Sequence, residues 1–284
     1  MKLSLGISPC PNDTFIFDAL IHHKIDTEGL EFVVSYDDVE TLNLKAFEGR
    51  LDVVKLSYHA FAYVANQYAL LNSGSALGFG VGPLLICSGE PDKLRTQLAL
   101  PGTPLKVGIP GKYTTANLLM SLAFPEVKNT EEMVFSEIEG AVLSGVIHAG
   151  LIIHENRFTY EKRGLKKIVD LGDYWEKRTG GAIPLGGIAI SRKLPLEIQL
   201  KVNRALRKSV EFALAHPQSG LDFIRSKAQE MDSDVLYQHI QLYVNDYTVD
   251  LGAEGKKAID MLFRIGMDQE IIPQISGPLF LPTA

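Results

Sequence analysis

The chain has 284 residues, 46% of them hydrophobic and 22% charged, with 28 Lys and Arg against 34 Asp and Glu and a formal net charge of −6. A chain of this size buries roughly 75% of its unfolded surface and tends to divide into two folding units, and its composition excludes disordered, collagenous and coiled-coil classes. Mild acidity without clustered Lys and Arg also argues against a general nucleic-acid surface, which needs basic side chains to neutralise phosphates.

Residues 3–7 read as a short buried strand. Pro9 and Pro11 interrupt the chain, and residues 13–22 continue as an apolar-periodic helix. Residues 30–36 form a second strand, residues 39–48 a helix closed by Gly49, and residues 51–56 a third strand, after which Ser57 is set to cap a helix over 58–66. This alternation implies a mostly parallel sheet with helices on its faces. Residues 74–83 are dense in glycine and lead into an apolar strand at 84–87; residues 180–187 repeat the pattern before a strand at 188–191. Such spacing suggests a chain that leaves one lobe and returns, giving a first lobe of residues 1–88 and 188–284 and an inserted second lobe of residues 89–187. The alternative is that these glycines serve tight turns only.

The second βα series places strands at 106–109, 133–136, 151–153 and 168–171. Helices alone follow residue 191, over 196–216, 220–230, 234–245 and 252–265, and three prolines make the last dozen residues an extended tail. Cys10 and Cys87 are too few for a disulfide framework and too isolated for a metal cluster, which favours a reduced compartment. The N-terminal segment lacks an apolar signal core, and no run approaches the roughly 20 apolar residues of a membrane span. A cytoplasmic protein is expected, with no membrane and no nucleic-acid partner.

Three strand ends pass from apolar residues into hydroxyl or amide residues and then a helix. They are residues 8–14, with Asn12, Asp13 and Thr14; Ser57, preceded by Lys55 and Leu56; and Thr114-Thr115-Ala116. Ligands of open α/β sheets bind outside the carboxyl ends of strands, where helix N-termini offer N–H groups and partial positive charge to an anion. Plain helix capping is the commoner use of each such segment taken alone. Their recurrence on a two-lobed scaffold points to a cleft for an anionic small molecule.

His154 follows the apolar run 149–153, so it sits at the carboxyl end of a buried strand. An imidazole there is suited to act as a general base, or equally to hydrogen-bond a neighbouring loop. Metal binding has little support: the segment after His154 lacks the second His of HExxH, and His148 precedes the strand. The Gly108–Thr114 segment has two residues, not four, before its Gly-Lys pair, which argues against nucleotide hydrolysis, and no GxGxxG follows the first strand, so a dinucleotide cofactor has no support. Ser57 lies outside a GxSxG elbow. His22 and His23 read as cations at a helix C-terminus, and Trp175 as partial core or as an aromatic pocket wall.

Five ordered motifs carry a further signal: Ser8-Pro-Cys-Pro-Asn-Asp-Thr-Phe15, Asp38-Val-Glu-Thr-Leu-Asn43, Lys55-Leu-Ser-Tyr58, residues 108–116 with their Thr-Thr-Ala, and Ala149-Gly-Leu-Ile-Ile-His-Glu155. Together they resemble the 1,4-dihydroxy-6-naphthoate synthase family of the futalosine route to menaquinone. That resemblance runs over nearly the whole chain. It implies an α/β, two-lobed, periplasmic-binding-protein-like fold of the second type with the ligand cleft between lobes, used as an enzyme. It further implies conversion of cyclic dehypoxanthine futalosine to 1,4-dihydroxy-6-naphthoate by carbon–carbon bond cleavage. The family's substrate-binding segments match Lys55, Leu56 and Ser57 in one lobe and Thr115 with Ala116 in the other, and its catalytic base matches His154. No cofactor is expected, and a monomer or a homodimer is equally compatible. Two alternatives stand beside this reading: chorismate dehydratase of the same pathway, and a non-catalytic binding protein for small carboxylates. The residues at 153–155 and 8–14 favour the synthase.

Overall fold

The computed structural model describes residues 1–154, 156–228 and 232–282. Its strands are β1 (Lys2–Ile7), β2 (Glu31–Tyr36), β3 (Val53–Ser57), β4 (Tyr68–Leu70), β5 (Ala76–Gly78), β6 (Leu84–Cys87), β7 (Val107–Ile109), β8 (Thr130–Glu132), β9 (Ala149–Ile152), β10 (Lys166–Asp170) and β11 (Ile183–Ser191). They form two mixed sheets, ordered β2-β1-β3-β11-β4 with β5 also on β11, and β10-β6-β9-β7-β8. In the first, β1 lies parallel between β2 and β3, and β11 runs antiparallel to β3, β4 and β5. In the second, β7 lies parallel between β8 and β9, while β6 is antiparallel to both β9 and β10.

Each parallel step needs a crossover, and the helices Pro11–Ile21 and Val39–Phe47 supply those of the first sheet. β3 is buried at all five positions, so its sequence Val-Val-Lys-Leu-Ser carries a lysine and a serine into the interior at its carboxyl end. The longest helix, Leu196–Ala215, turns Val202, Leu206, Val210 and Ala213 inward at the three-and-four spacing expected of an amphipathic helix. Its Ser209 hydroxyl donates to the Ile16 carbonyl at 2.7 Å and accepts from the Leu20 amide at 3.0 Å, tying this helix to Pro11–Ile21.

The glycine-dense segments lie where the chain passes between sheets, but not at the expected residues. Leu84–Cys87 pairs with β9 and β10 in the second sheet, and residues 183–187 already belong to β11 of the first. The passages therefore run over 79–83 and 171–182. They touch: a Cβ on Gly82 would fall 2.1 Å from the Gly172 amide nitrogen, so a side chain there would force the two passages apart. The strand expected at 133–136 falls instead at Thr130–Glu132. Met133 still donates its amide to Ile109, then the chain turns into a short 3-10 segment, Phe135–Glu137, and Met133 covers Gly108 rather than extending the sheet. The helices over 196–216, 220–230, 234–245 and 252–265 correspond to Leu196–Ala215, Leu221–Lys227, Ser233–Tyr243 and Gly252–Asp268, residues 229–230 lying outside the described residues. As far as residue 282 the tail is extended, exchanging backbone bonds with Leu70 through Leu279 and Leu281. No described helix is long and apolar enough to cross a membrane.

Candidate functional site

The three strand ends singled out in the sequence converge on one cavity, partly open to solvent. Its walls include Asn12, Asp13, Lys55, Leu56, Ser57, Thr114, Thr115, Ala116 and His154. Residues of the first sheet, residues beyond the strand ends of the second, and residues of the helix Ser233–Tyr243 meet there. Thr14 does not line it. The helix begins at Pro11 rather than residue 13, which puts Thr14 inside the first turn, and its hydroxyl bonds back to the Cys10 and Pro11 carbonyls.

Asp13 reaches the cavity wall but its carboxylate is already held. Oδ1 accepts from Lys55 Nζ at 2.6 Å and from Asn12 Nδ2 at 2.9 Å, and Oδ2 accepts from the Ser8 hydroxyl at 2.7 Å and the Ser8 amide at 3.2 Å. Four donors and full burial make it the counter-ion of Lys55 rather than a group open to a ligand. Lys55 has three N–H protons, and among the described residues Asp13 is its only hydrogen-bond partner. Two protons remain for a ligand oxygen.

The three strand ends treat their polar side chains differently. Thr114 is a true cap: its hydroxyl accepts from the Asn117 amide and donates to Gly111. The Thr115 hydroxyl donates to the Leu185 carbonyl at 2.5 Å and accepts from the His59 amide. Thr115 and Ala116 therefore offer their backbone amides, which have no acceptor among the described residues. Ser57, expected to cap its helix, makes no capping bond. Asn43 takes its place in that corner, accepting the Ser57 amide at 3.1 Å and donating to the Ser57 oxygen at 3.3 Å, so the Ser57 proton is uncommitted among the described residues.

His154 lies two residues beyond the end of β9, in left-handed backbone at φ 59°. Few non-glycine residues adopt that region, and the turn aims the ring into the cavity instead of along the strand. Burial lowers its pKa from 6.5 to about 4, with Asp13 pulling it up and Lys55 pushing it down, so the imidazole is neutral at pH 7. Neither ring nitrogen is hydrogen-bonded among the described residues. Glu155, the last residue of that motif, lies outside them. Three other histidines are spent elsewhere: exposed His148 accepts the Lys106 amide, His22 pairs with Asp18, and buried His59 binds the Thr114 carbonyl. Trp175 is core, its indole N–H on the Ala182 carbonyl, and is no part of the cavity wall.

Two further wall residues, His239 and Tyr243, carry no signal in the sequence. Both sit on the helix Ser233–Tyr243, whose sequence reads as ordinary amphipathic packing.

Fold and cavity together define a two-lobed α/β protein of the periplasmic-binding-protein-like kind, with its ligand site between the lobes. The periplasmic aliphatic sulphonate binding protein of Escherichia coli superposes with a TM-score of 0.65 at 11% identity, over 100% of this chain and 94% of that one. A crystal structure from Archaeoglobus fulgidus superposes at 0.88 with 35% identity, covering 95% of this chain and 98% of the other. A 1,4-dihydroxy-6-naphtoate synthase of Thermus thermophilus is 45% identical over 280 residues, 98% of this chain and 99% of that protein. The profile of a menaquinone biosynthesis family matches residues 3–268. The chain belongs to that family, and is an enzyme of menaquinone biosynthesis.

Proposed function

We propose that the protein is a carbon–carbon lyase that converts cyclic dehypoxanthine futalosine to 1,4-dihydroxy-6-naphthoate, with His154 as general base. The observation that carries this reading is a neutral imidazole, free of hydrogen bonds among the described residues, that opens into a cavity opposite Lys55 and Ser57. A base must be deprotonated at working pH and must reach its proton, and both conditions favour His154.

In this account the Ser57 proton, two protons of Lys55 and the Thr115 and Ala116 amides hold the carboxylate and hydroxyls of the substrate from opposite lobes. Lobe closure sets the reacting carbon against His154 and excludes water. The imidazole then accepts a proton as the ring opens, a contribution typically worth about 10²–10⁴ in rate. The first lobe is built on the sheet of β1–β5 and β11 and the second on the sheet of β6–β10, and the enzyme works in the cytoplasm. Asp13 supports Lys55 and does not itself touch substrate. For His154→Asn, turnover falls by about 10² or more while product affinity, measured by calorimetry, stays within about threefold. Turnover near wild type removes His154 from the base role.

A further inference from the structure

A general base normally has a hydrogen-bonding partner that fixes its ring, and His154 has none among the described residues. Two rings hold it instead. Phe135 meets it edge-on, with centroids 5.0 Å apart and planes at 64°. His239 lies nearly parallel on it, centroids 6.1 Å apart and planes at 17°, and is itself backed by Tyr243 at 4.7 Å.

The His239 ring is fixed in turn by a chain of hydrogen bonds. Lys55 and Asn12 both donate to Asp13, whose carboxylate only accepts. The Asn12 amino group must therefore face Asp13, and its oxygen must face His239 Nε2, 2.9 Å away. This makes Nε2 the protonated nitrogen of a neutral ring. Burial also keeps His239 uncharged, reinforced by His154 and Lys55.

The two histidines come from opposite sides of the cavity. His154 follows β9 of the second sheet, whereas the helix Ser233–Tyr243 packs on Pro11–Ile21 and β5 of the first. We propose that His239 is a positioning residue: anchored edge-on by Asn12, its ring is the flat wall that sets the plane of the His154 imidazole when the two lobes meet. The inference rests on His154 being the base. Among the described residues, the ionisable groups facing His239 include His154, Lys55 and, through Asn12, Asp13, with Tyr243 behind it.

Removing the wall admits water beside His154. For His239→Ala, kcat falls about 30-fold with KM within about threefold, and the acidic limb of the kcat/KM profile moves up from about pH 4 toward 6.5. His239→Phe keeps a flat ring of similar size, and it restores the limb and brings kcat to within about fivefold of wild type. Equal damage in both variants, or wild-type kcat and limb in His239→Ala, overturns the proposal. A measurement on the unaltered protein stands apart from any folding defect: nitrogen-15 resonances of the rings show His239 protonated at Nε2 across pH 5–8, with proton contacts to the His154 ring. A protonated Nδ1 with bare Nε2 overturns it. If His154→Asn keeps its turnover, the base reading fails alone, since the tautomer and the ring contact do not depend on turnover.

Discussion

Ser57 and Thr114 stand at equivalent helix starts, yet only Thr114 spends its hydroxyl on the cap. The difference lies in a neighbour: Asn43, fourteen residues before Ser57, takes the Ser57 amide and leaves the hydroxyl proton to the cavity. For Ser57→Ala the expected loss is about 1–3 kcal/mol of transition-state binding, read as a fall of roughly 5- to 150-fold in kcat/KM. Unchanged affinity and rate would reduce Ser57 to backbone. Residue types at strand ends were legible in the sequence, because strand-to-helix transitions carry local signals. Which hydroxyls are free was not, since that depends on Asn43 and Leu185, fourteen and seventy positions from the hydroxyls they meet. Asp13 shows the same limit: its four donors include Lys55, forty-two positions away.

The helix Val39–Phe47 has a function its sequence does not announce. Glu40 accepts the Tyr113 amide at 3.0 Å, and its other oxygen accepts from Asn43 at 2.9 Å. Its side chain lies where a Cβ on Gly111 would fall, and Gly111 has φ 141°, so only glycine lets the 111–114 segment approach so closely. Tyr113 also packs edge-on against Phe47, centroids 4.7 Å apart. These contacts clasp the segment before Thr115 to the element that holds Ser57. For Glu40→Ala, KM rises about tenfold with kcat within about threefold, measured by steady-state kinetics. An unchanged KM would mean that the clasp has no part in closing the site. At this scale the parallel crossovers and the late helices were readable from periodicity. The strand at 130–132 was not, because apolar Met133 and Phe135 belong to the turn that covers the sheet end, and apolar content alone does not distinguish the two.

Across the whole molecule, acidity and burial combine in a way composition could not show. Buried His59 and His239 and the cavity-facing His154 all have pKa values lowered from 6.5, to about 4 for His59 and His154 and well below 6.5 for His239, with burial the largest cause. The unfolded chain takes up protons at these residues as pH falls through 6.5, whereas the folded one resists, until near pH 4 at His59 and His154. Stability is therefore full above about pH 6.5 and declines toward pH 4, by at most about 1.4 kcal/mol per pH unit for each histidine. Glu28, lowered from 4.5 to about 2 chiefly by Arg204, adds its loss only below pH 4.5. Urea midpoints at pH 7.5 and 5 at constant ionic strength should fall in that order; equal midpoints contradict the buried neutral rings. The net charge of −6 constrains the site in the same spirit: the cation in its wall, Lys55, is paired with Asp13, so a bound anion relies on hydroxyl and amide donors as much as on charge. Two sheets and two passages were foreseeable from the glycine-dense segments, though their residues were not, because β6 and the first half of β11 owe their sheet to pairing partners rather than to local sequence. The most direct test is incubation of the purified protein with cyclic dehypoxanthine futalosine, with products followed by mass and absorbance. The account predicts 1,4-dihydroxy-6-naphthoate from the wild-type protein and almost none from His154→Asn; intact substrate with the wild type, or equal product from both, would contradict it.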